Sequence, residues 1–241
     1  MTVSLQPSRS SGIATSLKGM PIFHGVGDRQ LGALASVGHR KTIARGQALF
    51  RAGDAADCVV ILTRGLVKVV RQPSDGSENI LGLFGPRDAV GLIAVISRRP
   101  YPATAIALTE QVEAVCLPAG AVLDAMKQDA GLAMSVNQSL TQQATVLRSK
   151  IDVMGAGQVA QRLASVLVSL AERFGDEQED GTTLVPVVLT RGELSSLVGA
   201  RVETTIRVLS AWRKQGLLET TKSGFLLRDP SAFEPSKLSS Y

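Results

Sequence analysis

The stretch from Thr190 to Ser210 constrains this chain more than any other. Thr190 and Glu193 have capping-box spacing, in which two side chains satisfy orphan amides at a helix start. Leu194, Leu197 and Val198 follow at the spacing of one apolar helix face. Gly199 stands where that helix must stop, because glycine tolerates the left-handed conformation used there. A second helix is expected over Val202–Gln215. Its inward face is Thr205, Val208, Leu209 and Trp212. Its outward face is Val202, Glu203, Ile206, Arg207, Ser210 and Arg213.

Two helices joined in this way form a helix-turn-helix, whose second helix presents its N-terminal end to the major groove of DNA. Arginine bonds bidentately to guanine and glutamate accepts from cytosine N4, so Glu203 and Arg207 are candidates for base readout, flanked by Val202 and Ile206. A good pair of this kind supplies roughly 1–3 kcal/mol of base discrimination. The alternative for Glu203 and Arg207 is an ordinary surface ion pair, worth about 0.3–0.5 kcal/mol. The capping box and the glycine turn favour DNA readout. Thr190, Arg201, Thr204, Arg213 and Lys222 are the candidate phosphate contacts. Ser223-Gly224, between two short apolar runs, reads as a hairpin turn, which adds a wing with Lys222 at its tip. Lys222 reads equally well as a solvated turn lysine.

Charge supports a polyanionic partner. The net charge is +5, and between Arg191 and Arg228 seven basic residues face three acidic ones. The preceding Asp176–Asp180 segment is acidic, so positive charge is concentrated on the helix-turn-helix. Aromatic residues make up only 4% of the chain, which argues against a stacking platform for single-stranded nucleic acid. The 241 residues suit two modest domains. No apolar run approaches the ~20 residues of a membrane span, and no apolar signal core opens the chain, so a cytoplasmic protein is expected. Residues 1–17 read as a flexible extension. Cys58 and Cys116 stand far apart in apolar contexts and read as small buried hydrophobes. No metal-ligand spacing or catalytic constellation is visible, and the chain reads as a non-enzyme.

From Gly46 to Leu117 the pattern is one of short strands. Gln47–Arg51, Cys58–Leu62, Leu66–Arg71, Ile80–Phe84, Thr104–Leu108 and Val112–Leu117 are separated by glycine-marked turns, including Asp75-Gly76. A β-roll or jelly roll is expected over residues 18–129. The period then changes. Val136, Leu140, Ala144, Leu147, Ile151 and Met154 mark one seam of a long helix over 130–154. A single seam on a long helix suits dimerisation, and a helix-turn-helix ordinarily reads two half-sites. The alternative is a helix packed on its own β domain. Gly155-Ala-Gly157 reads as a hinge into a winged helix-turn-helix domain, residues 155–241. The fold class is therefore α+β.

A β-roll, a long helix and a winged helix-turn-helix, in that order, resemble the CRP/FNR superfamily of bacterial transcription regulators. The likeness spans roughly residues 18–230. It rests on Gly46-Gln-Ala-Leu-Phe-Arg-Ala-Gly-Asp54, Gly65-Leu-Val-Lys-Val69, Phe84-Gly-Pro-Arg-Asp-Ala-Val-Gly91 and Leu189-Thr-Arg-Gly-Glu-Leu…Val-Glu-Thr-Thr-Ile-Arg207. The resemblance implies a cytoplasmic homodimer that binds double-stranded DNA and engages RNA polymerase. It implies a cyclic-nucleotide-binding-like β-roll whose effector pocket would involve Gly91, Leu92, Arg98, Arg99, Tyr101 and Thr104.

Departures from the family pattern sharpen this. Val202 stands where the cyclic-AMP branch has arginine, so Val-Glu-x-x-x-Arg looks like the FNR branch and its TTGA-like half-site. Ile206 replaces the serine usual before that arginine; it can touch a thymine methyl but cannot donate a hydrogen bond. Two cysteines cannot supply the four ligands of an FNR-type iron–sulfur cluster. Leu92 follows Gly91 where cyclic-nucleotide binders have glutamate, and Tyr101-Pro102 occupies the position of the phosphate-binding arginine. A cyclic-nucleotide-responsive regulator would need a shifted loop that brings in Arg98 or Arg99. Arg99-Pro-Tyr-Pro-Ala-Thr-Ala is similar to nitric-oxide-responsive NnrR- or Dnr-type members, some of which use haem. The candidate haem ligands are His24, Cys58, Tyr101 and Cys116. An effector-binding sensor that acts through a protein partner is the reading from a different class.

Overall fold

Two strands in the first half of the chain are apolar on both faces, which requires a core on each side of the sheet they form. These are Cys58-Val-Val-Ile-Leu-Thr-Arg64 and Gln111-Val-Glu-Ala-Val-Cys-Leu-Pro118. A computed structural model of the chain describes residues 9–72, 78–155 and 157–233, with side chains except at 9–11, 143 and 145–155. The chain divides into two units. Residues 1–71 and 83–145 form the first, and 72–82 and 146–241 the second.

The first unit opens with α1 (Arg9–Leu17), a 3₁₀ turn at Pro21–Phe23 and α2 (Asp28–Val37). Strands β1 (His39–Ala44), β2 (Ala48–Phe50), β3 (Cys58–Arg64), β4 (Val67–Arg71), β5 (Asn79–Phe84) and β6 (Ala89–Val90) follow. Then come α3 (Leu92–Ser97), β7 (Thr104–Ala107), β8 (Gln111–Pro118), α4 (Ala119–Gln128) and α5 (Ala130–Gly155). One sheet has the order β1-β8-β3-β6 and another β2-β7-β4-β5. β3 and β8 run antiparallel with Val60 opposite Cys116 and Ile61 opposite Val115. Successive side chains alternate between faces. Val60, Leu62, Ala114 and Cys116 therefore join Val67, Ala105 and Ala107 in one cluster. Val59, Ile61, Val115 and Leu117 join Leu17, Leu34, Leu92, Val122 and Leu132 in a second, covered by helices.

Three sequence expectations are corrected here. The extension read as flexible over 1–17 holds α1, with Ile13 and Leu17 buried in the helix-covered cluster. Burying a leucine contributes roughly 1.5–3 kcal/mol, which outweighs the Ser- and Gly-rich composition that suggested flexibility. Residues 1–8 lie outside the described residues, as does the Asp75-Gly76 turn. Strands β1 and β6, absent from the sequence reading, flank β8 and β3. The seam of the long helix also divides. Val136 is 1% exposed and Leu140, half-buried, packs against the same cluster, so both pack on their own domain and Val136 has no surface left for a partner. Ala144 is exposed, and the side chains of Leu147, Ile151 and Met154 lie outside the described residues.

The second unit contains α6 (Val159–Phe174), β9 (Asp176–Glu177), β10 (Thr183–Val185), α7 (Arg191–Val198) and α8 (Val202–Lys214). It ends with β11 (Leu218–Thr220), β12 (Phe225–Leu227) and a 3₁₀ turn at Pro230–Phe233. α6 buries Ala160, Leu163, Ala164, Leu167 and Leu170, an i, i+3, i+4, i+7 face, and it packs on α7 and α8. The four-stranded sheet has the order β11-β12-β10-β9. Its β9–β10 hairpin reads in the sequence only as an acidic loop. Trp212 of α8 meets Phe233 edge to face, with ring centroids 5.0 Å apart.

Candidate functional site

Helix α7 begins at the capping box anticipated from sequence. Thr190 Oγ1 accepts from the Glu193 amide at 3.1 Å, and Glu193 Oε2 accepts from the Thr190 amide at 2.7 Å. The helix ends at Gly199, whose φ of 59° and ψ of 46° lie in the left-handed region. The Ala200 amide closes back on Ser195 O at 3.0 Å. This tight stop allows α8 to start only three residues later, at Val202. Ser195 and Thr205, both buried, place their hydroxyls 3.0 Å apart between the two helices. Sequence reasoning does not single out this pair; a polar residue on each inward face is the available signal.

The outward face of α8 is arranged as expected. Glu203 and Arg207 are exposed, and Val202 and Ile206 expose 40% and 44% of their surface although both are large apolar residues. No ion pair joins Glu203 to Arg207 among the described residues. The N-cap Arg201 makes no side-chain cap, so the first amides of α8 lack the side-chain partner that α7 has. A helix start of that kind suits a phosphate oxygen. Arg213 and Lys222 are exposed and Thr204 is half-buried. The wing turn carrying Lys222 closes through the Thr221 amide to Gly224 O at 2.8 Å. Arg191, to which the sequence reading assigns no role, donates from Nη2 to Thr220 Oγ1 at 3.2 Å. It thereby ties the start of α7 to the wing strand β11.

The residues grouped from sequence as one effector pocket lie in different surroundings, with only Gly91 and Tyr101 in contact. Leu92 is 1% exposed and belongs to the helix-covered core. Arg98 and Arg99 are exposed and line an open cleft of about 460 Å³ with Ala56, Leu123, Asp124 and Lys127. Lys127 at 2.7 Å holds the Asp124 carboxyl below its ordinary range. Tyr101 and Thr104 lie elsewhere. Tyr101 is buried, stacks on Phe50 with ring centroids 3.9 Å apart, and donates its hydroxyl proton to Cys58 O. Thr104 Oγ1 accepts from the Ala52 amide at 3.0 Å. The Tyr101 ring also covers Gly91, where a Cβ would stand 2.7 Å from Tyr101 Cε1 and where φ is 83°. Glycine is required there by both space and backbone. The sequence reading misplaces these residues because it treats neighbours in a short loop as pointing the same way.

Of the four candidate haem ligands, three come together and one does not. The Cys58 thiol lies 3.6 Å from the Tyr101 hydroxyl, and Cys116 is the diagonal neighbour of Cys58 on the adjacent strand. His24 is exposed and follows the 3₁₀ turn. With its ring stacked on Phe50 and its proton given to a backbone carbonyl, Tyr101 is not free to act as an axial ligand. The neighbouring Cys116 thiol brings the Cys58 thiol down to about 7, against the opposing effect of burial. The same contact, with burial, pushes Cys116 up. Burial, then Cys58, pushes the Tyr101 phenol up.

A capped helix pair with an exposed reading face, followed by a wing and preceded by a β-roll, defines a two-domain DNA-binding regulator. Residues 40–129 match the cyclic nucleotide-binding domain model, and residues 161–235 match the Crp-like helix-turn-helix domain model. The chain is 29% identical over 208 residues to the CRP-like cAMP-activated global transcriptional regulator of Mycobacterium tuberculosis, covering 86% of this chain and 92% of that one. A CRP-family transcriptional regulator from Thermus thermophilus superposes with a TM-score of 0.68 at 26% identity, covering 83% of this chain and 97% of that one. FixK2 of Bradyrhizobium japonicum shares the fold, with a TM-score of 0.72 at 19% identity over 82% and 96% of the two chains. The chain thus carries the two domains of CRP/FNR-type transcription regulators, a cyclic nucleotide-binding domain and a Crp-like helix-turn-helix. The relatives and structural neighbours it resembles are transcription regulators and not enzymes.

Proposed function

We propose that this regulator acts as a homodimer on a palindrome of TTGA-like half-sites, with Glu203 and Arg207 reading bases and Val202 and Ile206 meeting thymine methyl groups. The observation that carries the reading is the exposed N-terminal face of α8. Two bulky apolar side chains lie open to solvent there, interleaved with a carboxylate and a guanidinium that do not pair with each other. Such a face is unfavourable on an idle helix and matches the mixed donor, acceptor and methyl pattern of the major groove. Thr190, Arg201, Thr204, Arg213 and Lys222 hold the backbone. The dimer contact runs along the C-terminal part of α5, from Ala144 through Leu147 and Ile151 to Met154. RNA polymerase is the downstream partner. The protein works in the cytoplasm, and among the described residues no helix is long and apolar enough to cross a membrane.

The input is read at the β-roll and differs from the usual cyclic nucleotide. Gly91 is covered by Tyr101, Leu92 is buried, and Arg98 and Arg99 lie on an outer cleft, so acid and arginine do not converge on one ligand. Nitric oxide or redox chemistry at the roll is the reading that remains, and it changes the aim of the two α8 helices. A titration of the purified protein against a TTGA palindrome and a scrambled duplex, at several salt concentrations, tests the DNA reading. Preference for the palindrome and a steep fall of affinity with salt are expected. Equal, salt-insensitive binding to both duplexes would point to a sensor that works through a protein partner.

A further inference from the structure

We infer that Cys58 and Cys116 form a reversible dithiol switch inside the β-roll, oxidised by hydroperoxides to an intrachain disulfide. The two residues are 58 positions apart in the chain but sit on neighbouring strands. Val60 faces Cys116 and Cys58 faces Pro118, so the two cysteines are diagonal neighbours on one face of the sheet. Both belong to the same apolar cluster inside the roll. Their environments differ. Cys116 is 2% exposed and Cys58 is half-buried, so a small oxidant reaches Cys58 first. The closeness of the two thiols lowers Cys58 and raises Cys116, which favours a thiolate at Cys58 and a protonated partner at Cys116. A half-exposed thiolate beside a protonated thiol is the arrangement of an attacking and a resolving cysteine.

The chemistry balances without any group the roll does not contain, apart from the hydroperoxide. The Cys58 thiolate attacks the terminal peroxide oxygen, the O–O bond breaks, and the departing alkoxide or hydroxide takes a proton from solvent. The Cys116 sulfur then attacks the Cys58 sulfenic acid. An S–S bond forms, the S–O bond breaks, and the leaving hydroxide departs as water with the Cys116 proton. Two thiols lose two electrons, and the hydroperoxide gains them.

Geometry explains why the bond would be a switch and not a structural staple. Diagonal neighbours in an antiparallel pair lie about 7–8 Å apart. A disulfide needs Cα atoms within about 4.4–6.8 Å. Closure therefore requires β3 and β8 to shift along one another, and strained disulfides are easily reduced. The strand that moves carries Cys58 O, which accepts the Tyr101 hydroxyl. Through Tyr101 the shift reaches Phe50 and Gly91, which lie against its ring.

This inference deepens the reading that the β-roll receives the input, but its test does not depend on DNA binding. The full-length protein is treated with a slight excess of hydrogen peroxide, then alkylated and mapped by mass spectrometry without reduction. A loss of two hydrogens and a single cross-linked pair of peptides, containing Cys58 and Cys116, are expected, and dithiothreitol should restore both thiols. In Cys116→Ser the product should stop at a dimedone-trapped sulfenic acid on Cys58. In Cys58→Ser the oxidation of Cys116 should slow at least tenfold. Both thiols of the wild-type protein remaining alkylatable, or a disulfide joining two chains in place of one, would overturn the switch. If the disulfide forms and DNA affinity is unchanged, the thiol chemistry stands and the assignment of redox input to the regulator fails.

Discussion

The hydroxyls of Ser195 and Thr205 lie 3.0 Å apart, buried between the two helices of the reading motif. Each also reaches the carbonyl four residues back on its own helix, Arg191 O at 2.6 Å and Arg201 O at 3.2 Å. Two hydroxyls thus connect the first turn of α7 to the N-cap of α8. Their separation helps set the angle at which the reading helix leaves the turn. Removing one hydroxyl leaves the other short of a buried partner, which costs about 1–2 kcal/mol.

Thr205→Val is accordingly expected to lower the melting temperature of the helix-turn-helix by several degrees. The double variant Ser195→Ala/Thr205→Val should cost less than the sum of the two single variants, since the bond between the hydroxyls is lost only once. Thermal denaturation of the two single variants and the double variant measures the coupling. Strict additivity would show that the hydroxyls act independently.

The capping box makes a separate prediction. Thr190→Ala removes the acceptor for the Glu193 amide and should destabilise the domain by about 0.5–2 kcal/mol, while Thr190→Ser should be close to neutral. Denaturant titration checks both. An equal loss in the two variants would show that the methyl group, not the hydroxyl, carries the effect.

Much of this second unit was legible in the sequence. Capping boxes, a C-terminal glycine and an amphipathic helix are local signals, and Thr190, Gly199 and the faces of α8 fall where those signals place them. The β-roll was legible as strands but not as partners. Nothing local in Cys58 or Cys116 reveals that β3 and β8 pair in a register bringing them together. The effector residues escaped for the same reason. Leu92, Arg98 and Tyr101 are close in sequence, but α3 and the turn after it send them to the core, the outer cleft and the roll interior respectively. The helix seam misleads in part because a face that is apolar enough to dimerise is also apolar enough to cover its own domain.

That last point is testable at Val136. Buried at 1% exposure in its own domain, it should behave as a core residue. Val136→Ala is expected to lower the stability of the first unit by about 1–3 kcal/mol without changing the association state. Thermal denaturation alongside analytical ultracentrifugation makes the comparison. Loss of a dimer with unchanged stability would return Val136 to the interface.

The thiol pair predicts a pH dependence. Because the Cys58 pKa is lowered to about 7, its thiolate fraction should rise through neutral pH and level off above it. An ordinary cysteine continues to gain thiolate up to about pH 8.5 and beyond. The rate of iodoacetamide labelling at Cys58 should therefore reach its plateau by about pH 8, and Cys116→Ala, which removes the neighbouring donor, should move the inflection upward. A wild-type profile still rising steeply at about pH 8.5 would show that Cys116 does not support the Cys58 thiolate.

The central claim is that the exposed face of α8 reads bases through Arg207. Its most direct measurement is the specificity ratio of Arg207→Ala, the affinity for a TTGA-type palindrome divided by that for a scrambled duplex, at one fixed salt concentration. A bidentate arginine–guanine contact supplies roughly 1–3 kcal/mol, so the ratio should fall at least tenfold while salt-sensitive non-specific binding persists. A ratio equal to that of the wild-type protein would contradict the account.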